Sequence, residues 1–342
     1  MRKRPDQSAP EREAWRGAPL AARFKFLKTL WIAAHAHSAV VMAVTEKVRY
    51  MHLTGECEGL LVICGSGGGK TSLCRELKRQ HPDDITDERT LRRMIIMRIP
   101  KICTRSRLAR ELLFGLGDSA WNIGTAEDNL ARATALILAC GVEILAVDNF
   151  QDIPERRSTG SVRIVGNWFR DLFDSTALVF LALGTEQAKK VRFSNDQVRR
   201  RVVTQIHIPY FSVATDKELK EWMFVLRELD RNLPMAEDPR LRNPQTAALL
   251  YFACNGIFDY LCKLVKRAMM IAVERGSETI ANCDLEKAFP FVAGDVAELG
   301  NPFEAHFKGR ALDRADELFH RMENCIVKDE DEEVASDQGS AK

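Results

Sequence analysis

The stretch Leu60–Ser72, LLVICGSGGGKTS, constrains the fold of this 342-residue chain more than any other part of it. An apolar run from Leu60 to Ile63 breaks into a glycine-rich loop, ends in Lys70-Thr71, and then reads as helix toward Arg79. That is the strand–loop–helix context of a phosphate-binding loop. Gly65, Gly67, Gly68 and Gly69, with Ser66 among them, let successive backbone N–H groups turn inward around a polyphosphate. Lys70 is placed to reach β- and γ-phosphates and the Thr71 hydroxyl to ligate Mg²⁺, while Ser72 carries the loop into the positive end of a helix dipole. ATP and Mg²⁺ are the expected ligands. One position departs from the usual pattern: Cys64 stands where a glycine normally opens the loop.

The rest of the chain supplies the architecture such a loop needs. Met94–Ile99, Ile144–Asp148, Ala177–Leu183 and the shorter Gln205–Ile208 read as further strands, apolar almost throughout. Helical patterns separate them, with Thr104 and Thr125 as N-caps. Continuous apolar strands alternating with helices describe a five-stranded parallel sheet covered on both faces, an α/β fold. From Thr215 onward the pattern is helical only, which marks a second domain.

Composition narrows the class without naming a partner. Lys plus Arg is 50 against 48 Asp plus Glu, a net charge of +2, so any nucleic-acid surface must be local. The nine cysteines show no metal-ligand spacing and suit reduced thiols in a cytoplasmic protein. His35 and His37 read as surface or core histidines. No run approaches the roughly 18 apolar residues of a membrane helix.

Asp148, closing an apolar strand downstream of the loop, is the expected second Mg²⁺ ligand, on a strand beside the loop's own. Asn149 follows it; an amide can hydrogen-bond a water but cannot take its proton. Thr185, ending the fourth strand, sits where a polar residue would sense the γ-phosphate, and it also reads as the N-cap of a helix with Glu186 in its first turn; the two roles are compatible. In Arg199-Arg200-Arg201 the expected arginine finger is Arg201, with Arg200 second, set against a solvated helix end.

The order GSGGGKTS, VDNFQDI, LALGTEQA, NDQVRRRVVTQIHIPYF, then a helical segment with Ile280, Asp284, Leu285 and Ala288, resembles the TniB/TnsC group of transposon-encoded AAA+ ATPases. The resemblance runs from about residue 30 to 290 and implies an AAA+ P-loop NTPase with a C-terminal helical lid domain. Its boundaries on this chain would be a disordered arm at 1–15, the nucleotide-binding domain at 16–212, the lid at 213–292, a partner-binding segment at 293–327 and a disordered acidic tail at 328–342. It also implies the function: a regulator of transposition that oligomerises on duplex DNA as a ring or filament. Such a protein links a target selector, a DNA-binding protein or a CRISPR-associated complex, to the transposase. DNA contacts would come from Arg98–Arg107, through Lys101, Thr104, Arg105 and Arg107. These are phosphate-contacting types with no aromatic to stack on an exposed base. Family members usually carry Glu where this chain has Asn149, which puts the hydrolysis rate in question rather than binding. A helicase-loader-like remodeller and a nucleotide-gated scaffold that ignores DNA are the competing readings.

Overall fold

The computed structural model describes residues 12–56, 58–100, 102–153, 159–194, 196–294, 300–310, 312–314 and 317–319. Lys101, the acidic tail and most of the N-terminal arm lie outside them. The described chain forms two compact units, His35–Pro209 and a second made of the segments before and after it.

Helix α1 (Leu20–Leu27) belongs to the second unit. The first begins with α2 (His35–Thr54), β1 (Gly59–Cys64) and α3 (Lys70–Gln80). A small antiparallel pair follows, β2 (Asp84–Ile85) with β3 (Thr90–Leu91), in a stretch that reads as polar loop from sequence. Then come β4 (Met94–Arg98), α4 (Arg105–Leu116), α5 (Ala126–Ala139), β5 (Ile144–Asp148) and α6 (Thr159–Ser175). The unit ends with β6 (Val179–Gly184), α7 (Ala188–Ser194), α8 (Asp196–Arg201) and β7 (Thr204–Ile208).

The five long strands make one parallel sheet in the order β4-β5-β6-β1-β7. β6 therefore lies between the loop strand β1 and the Asp148 strand β5, which corrects the expectation that those two are neighbours. Strand adjacency is decided by where each crossover helix packs, and the alternation of elements does not encode it. Every residue of β1 and β6 is buried, as a sheet covered on both faces requires. Each Leu, Val or Ile so buried contributes roughly 2 kcal/mol. β7, at an edge, alternates exposed Gln205 and His207 with half-buried Ile206 and buried Ile208.

Local chemistry sets the helix starts. Thr104 accepts the Arg107 N–H at 3.2 Å, and Thr125 forms a capping box with Asp128. Helix α2 buries His37, Val40, Val44, Val48 and Met51, a single face at helical spacing.

The second unit contains α1, α9 (Asp216–Asn232), α10 (Pro244–Cys254), α11 (Phe258–Glu274), α12 (Asn282–Ala288) and the short α13 (Pro290–Ala293). The sequence places α1 with the sheet domain; the compact unit puts it here. The cause is Arg23, which is 1% exposed, donates to the Pro234 carbonyl at 2.7 Å and pairs with Glu278 at 3.0 Å. Leu27 joins the same core as Trp222, Leu226 and Leu261. Asn301 donates to the Glu286 carbonyl at 2.9 Å, Phe303 is buried near Phe289, and Phe307 meets Phe252 edge-on. Packing against this helical core is thus what these residues do in the structure. Among the described residues no single helix is long and apolar enough to cross a membrane.

Candidate nucleotide and nucleic-acid site

Parallel strands end at one edge, and the candidate residues follow from that. The register pairs Ile63 with Gly184, Val147 with Ala182 and Arg98 with Asp148. The loop after β1, Thr185 after β6 and Asp148 at the end of β5 consequently lie side by side, with Thr185 in the middle.

The glycine loop is shaped by its neighbours. Gly67 and Gly69 adopt left-handed φ values of 75° and 99°, which side chains disfavour. Gly68 closes a turn by donating to the Gly65 carbonyl at 3.2 Å, and a Cβ on it would overlap the Cys64 sulfur. The residue that breaks the usual pattern therefore fills the space beneath the loop. Burial pushes the Cys64 thiol pKa up, with the Lys70 charge pulling the other way, so Cys64 is packing and not a nucleophile. Lys70 donates to the carbonyls of Cys64 at 2.7 Å and Gly65 at 3.0 Å, at the mouth of the loop. Lys70 opens α3, and Thr71 and Ser72 lie in its first turn, where backbone N–H groups have no partner within the helix. A cradle that a single Cβ would fill, with a lysine and a helix start around it, fits a polyphosphate. Thr71 and Asp148 supply the hydroxyl and carboxylate that suit Mg²⁺.

Asp148 accepts the Asn149 N–H at 2.9 Å, and Arg98 approaches it at 4.0 Å from the next strand, a long contact on an exposed side chain. Burial, with the Asp148 charge adding to it, pushes the Cys74 thiol on α3 up to about 12. Asn149 is left-handed at φ 57°, a conformation asparagine tolerates better than most side chains. Thr185 does not start the helix at Glu186; α7 begins at Ala188, whose N–H bonds the Thr185 carbonyl at 2.9 Å. The Thr185 N–H donates to Gln151 Oε1 at 3.1 Å. Gln151 thereby ties the end of β5 to the end of β6. No sequence signal marks it, because a glutamine three residues beyond an acid follows no spacing rule. His37, which the sequence reads as a surface or core histidine, has its Nε2 3.0 Å from the Gly68 oxygen. The signal was available: His37, Val40, Val44 and Val48 share the buried face of α2.

Of the arginine triplet, Arg199 pairs with Asp196 at 2.8 Å, while Arg201 forms an ion pair with Asp174 and lies 5.4 Å over the Phe173 ring. Arg200 is exposed and makes no ion pair among the described residues. Thr104, Arg105 and Arg107 cluster at the start of α4; Arg105 stands 3.9 Å from Asp171, and both arginines are exposed.

A parallel sheet in this order, with its phosphate-type loop after β1, defines an AAA+ P-loop NTPase fold. Solved structures agree at the level of fold. The ORC2 protein of Aeropyrum pernix, described in ADPNP-ADP complexes, matches with a TM-score of 0.55 at 13% identity, over 76% of this chain and 69% of that one. CDC6P from Pyrobaculum aerophilum gives 0.56 at 12%, over 77% and 69%. Aeropyrum pernix ORC1 in complex with DNA gives 0.54 at 15%, over 81% and 71%. The family model for bacterial TniB protein matches residues 23–212, more than half of the sequence, and the chain belongs to the TniB family. A search among curated proteins finds no match.

Proposed function

We propose that this chain is an ATP-dependent regulator of DNA transposition that assembles on duplex target DNA and links a target-site selector to a transposase. TniB family membership carries the reading. The strand-edge constellation supports its nucleotide half: the Gly65–Gly69 cradle, Lys70, Thr71 and Asp148 on one edge with Thr185 between them. Gly65, Ser66, Gly67, Gly68, Gly69, Lys70, Thr71 and Ser72 would hold the triphosphate, and Thr71 with Asp148 the Mg²⁺ that screens its charge. Asn149 would orient a water without taking its proton, which favours a slow switch over a fast motor. Thr185 would read the γ-phosphate. Arg200, exposed, and Arg201, on release from Asp174, are the groups to reach a neighbouring subunit's phosphates.

The DNA half rests on family membership and on Thr104, Arg105 and Arg107 at one helix start, with Lys101 beside them in sequence. A distant fold relative, ORC1, was solved with DNA. Cationic side chains and a helix N-terminus suit phosphate contact without base readout. Weak contacts of this kind add along an assembly of many copies.

The test is duplex DNA binding and electron microscopy with ATP, a non-hydrolysable analogue, ADP or no nucleotide. Rings or filaments on DNA are expected with the triphosphates alone, and Arg105→Glu with Arg107→Glu should abolish them while ATP still binds. Triphosphate binding with no DNA complex even at low salt would leave a DNA-independent nucleotide switch as the better account.

A further inference from the structure

A run of three glycines makes a poor scaffold by itself. Gly67, Gly68 and Gly69 have access to most of backbone space, so the peptide between Gly68 and Gly69 can turn over at little cost. Turned the wrong way, it would present a carbonyl oxygen to an anion instead of an N–H. Something outside the loop must choose the orientation.

His37 is placed to do so. It lies on the buried face of α2, 5% exposed, with Nε2 at 3.0 Å from the Gly68 carbonyl oxygen. A carbonyl only accepts, so Nε2 is the protonated, donating nitrogen in this contact. The Gly68 carbonyl and the Gly69 N–H belong to one peptide unit, and the chain has no cis peptide bond among its described residues. In a planar trans peptide the two groups point in opposite directions. By fixing the carbonyl toward α2, His37 fixes the Gly69 N–H away from α2. The fit is close: at Gly69, φ 99°, a Cβ would stand 2.7 Å from His37 Nε2. From another side Cys64 occupies the place a Cβ on Gly68 would need.

We propose that His37 is a positioning residue of the nucleotide site: its hydrogen bond to the Gly68 carbonyl turns the Gly69 N–H toward the triphosphate and keeps that peptide from flipping. The inference rests on the nucleotide reading above. It makes α2 a part of the phosphate site and explains why a glycine run without its usual first glycine can hold one shape.

The experiment compares His37→Leu and His37→Ala, which lose the donor by filling or opening the space, with His37→Gln, whose side-chain amide restores an N–H at similar reach. Affinities for Mg-ATP and Mg-ADP are measured by calorimetry, alongside the melting temperature of each protein without nucleotide. The expected result is an affinity loss of about tenfold for the Leu and Ala variants, and recovery to within about threefold for Gln. A role in packing alone would not distinguish Gln from Leu. Equal impairment of all three variants, in step with lowered melting temperatures, would overturn the inference and make His37 a core residue. Wild-type affinity in His37→Leu, with binding abolished by Lys70→Ala, would overturn it while leaving the nucleotide reading intact. If the wild-type protein binds neither nucleotide, the reading and the inference fall together.

Discussion

The two units differ in where they leave polar groups open. In the helical unit the buried charges are consumed by architecture. Arg23 donates to the Trp15, Ala18 and Pro234 carbonyls and to Glu278. Asp230 accepts from the Leu241 and Arg242 N–H groups and the Arg242 side chain, and Asp284 from Arg275 and the Ala281 N–H. The sheet unit encloses charges too, Glu76 with Arg79 and Glu143 with Arg93, but at the carboxyl edge of its strands Lys70, Asp148, Asn149 and Thr185 are only partly buried. A charge enclosed by partners holds a fold together. A charge left half open at a strand edge remains accessible to a ligand.

The largest effect should come from Arg23→Ala. Removing that guanidinium leaves three carbonyls and one carboxylate oxygen of Glu278 without that donor, and unfolding free energy should fall by about 3–5 kcal/mol in urea denaturation. Lys70→Ala is the matching change on the other side. It should lower stability by no more than about 1 kcal/mol while abolishing nucleotide binding. If Arg23→Ala cost less than Lys70→Ala, the contrast between the units would break.

A smaller effect tests how tightly the loop is held. Gly68→Ala should destabilise the protein by about 1–3 kcal/mol, because the new methyl meets the Cys64 sulfur. Cys64→Gly, which restores the usual loop residue, should recover much of that loss in the double variant, a coupling visible in a double-mutant cycle. Additive single effects would mean that Cys64 does not shape the loop.

What could be read in advance follows the range of the interaction. The five strands show in runs such as LLVIC and ILAVD, and Thr104 and Thr125 show as caps, because each depends on residues within a few positions. The order of the strands was not legible. Nothing in the sequence near Asp148 says that β6 will slide between it and the loop. The same holds for α1: its place depends on Arg23 meeting Pro234 and Glu278, more than two hundred positions away. At the site, Lys70, Thr71 and Asp148 carry spacing rules, whereas His37 and Gln151 matter through single hydrogen bonds to backbone groups of the loop and of Thr185. Those are visible only once the chain has folded.

The smallest predicted effect sharpens the comparison inside the sheet unit itself, at the opposite end of the strands. Glu143 precedes β5 and is met by Arg93 at 2.5 Å, His81 at 3.2 Å and His52 at 3.4 Å. Burial alone would raise its pKa; the His81 hydrogen bond and the Arg93 charge and hydrogen bond outweigh that and hold it below the usual carboxylate value. A folded pKa below the unfolded value of about 4.3 means that the ionised carboxylate stabilises the fold. That contribution is complete above the unfolded pKa and is lost as pH falls through the folded one. Urea denaturation of the wild type and of Glu143→Gln should therefore show a wild-type advantage at pH 5 that shrinks steadily toward pH 3. If Glu143→Gln kept the full acid limb of the wild type, Glu143 would not be an enclosed, architectural carboxylate, and the division between an architectural end and an open end of the sheet would lose its support.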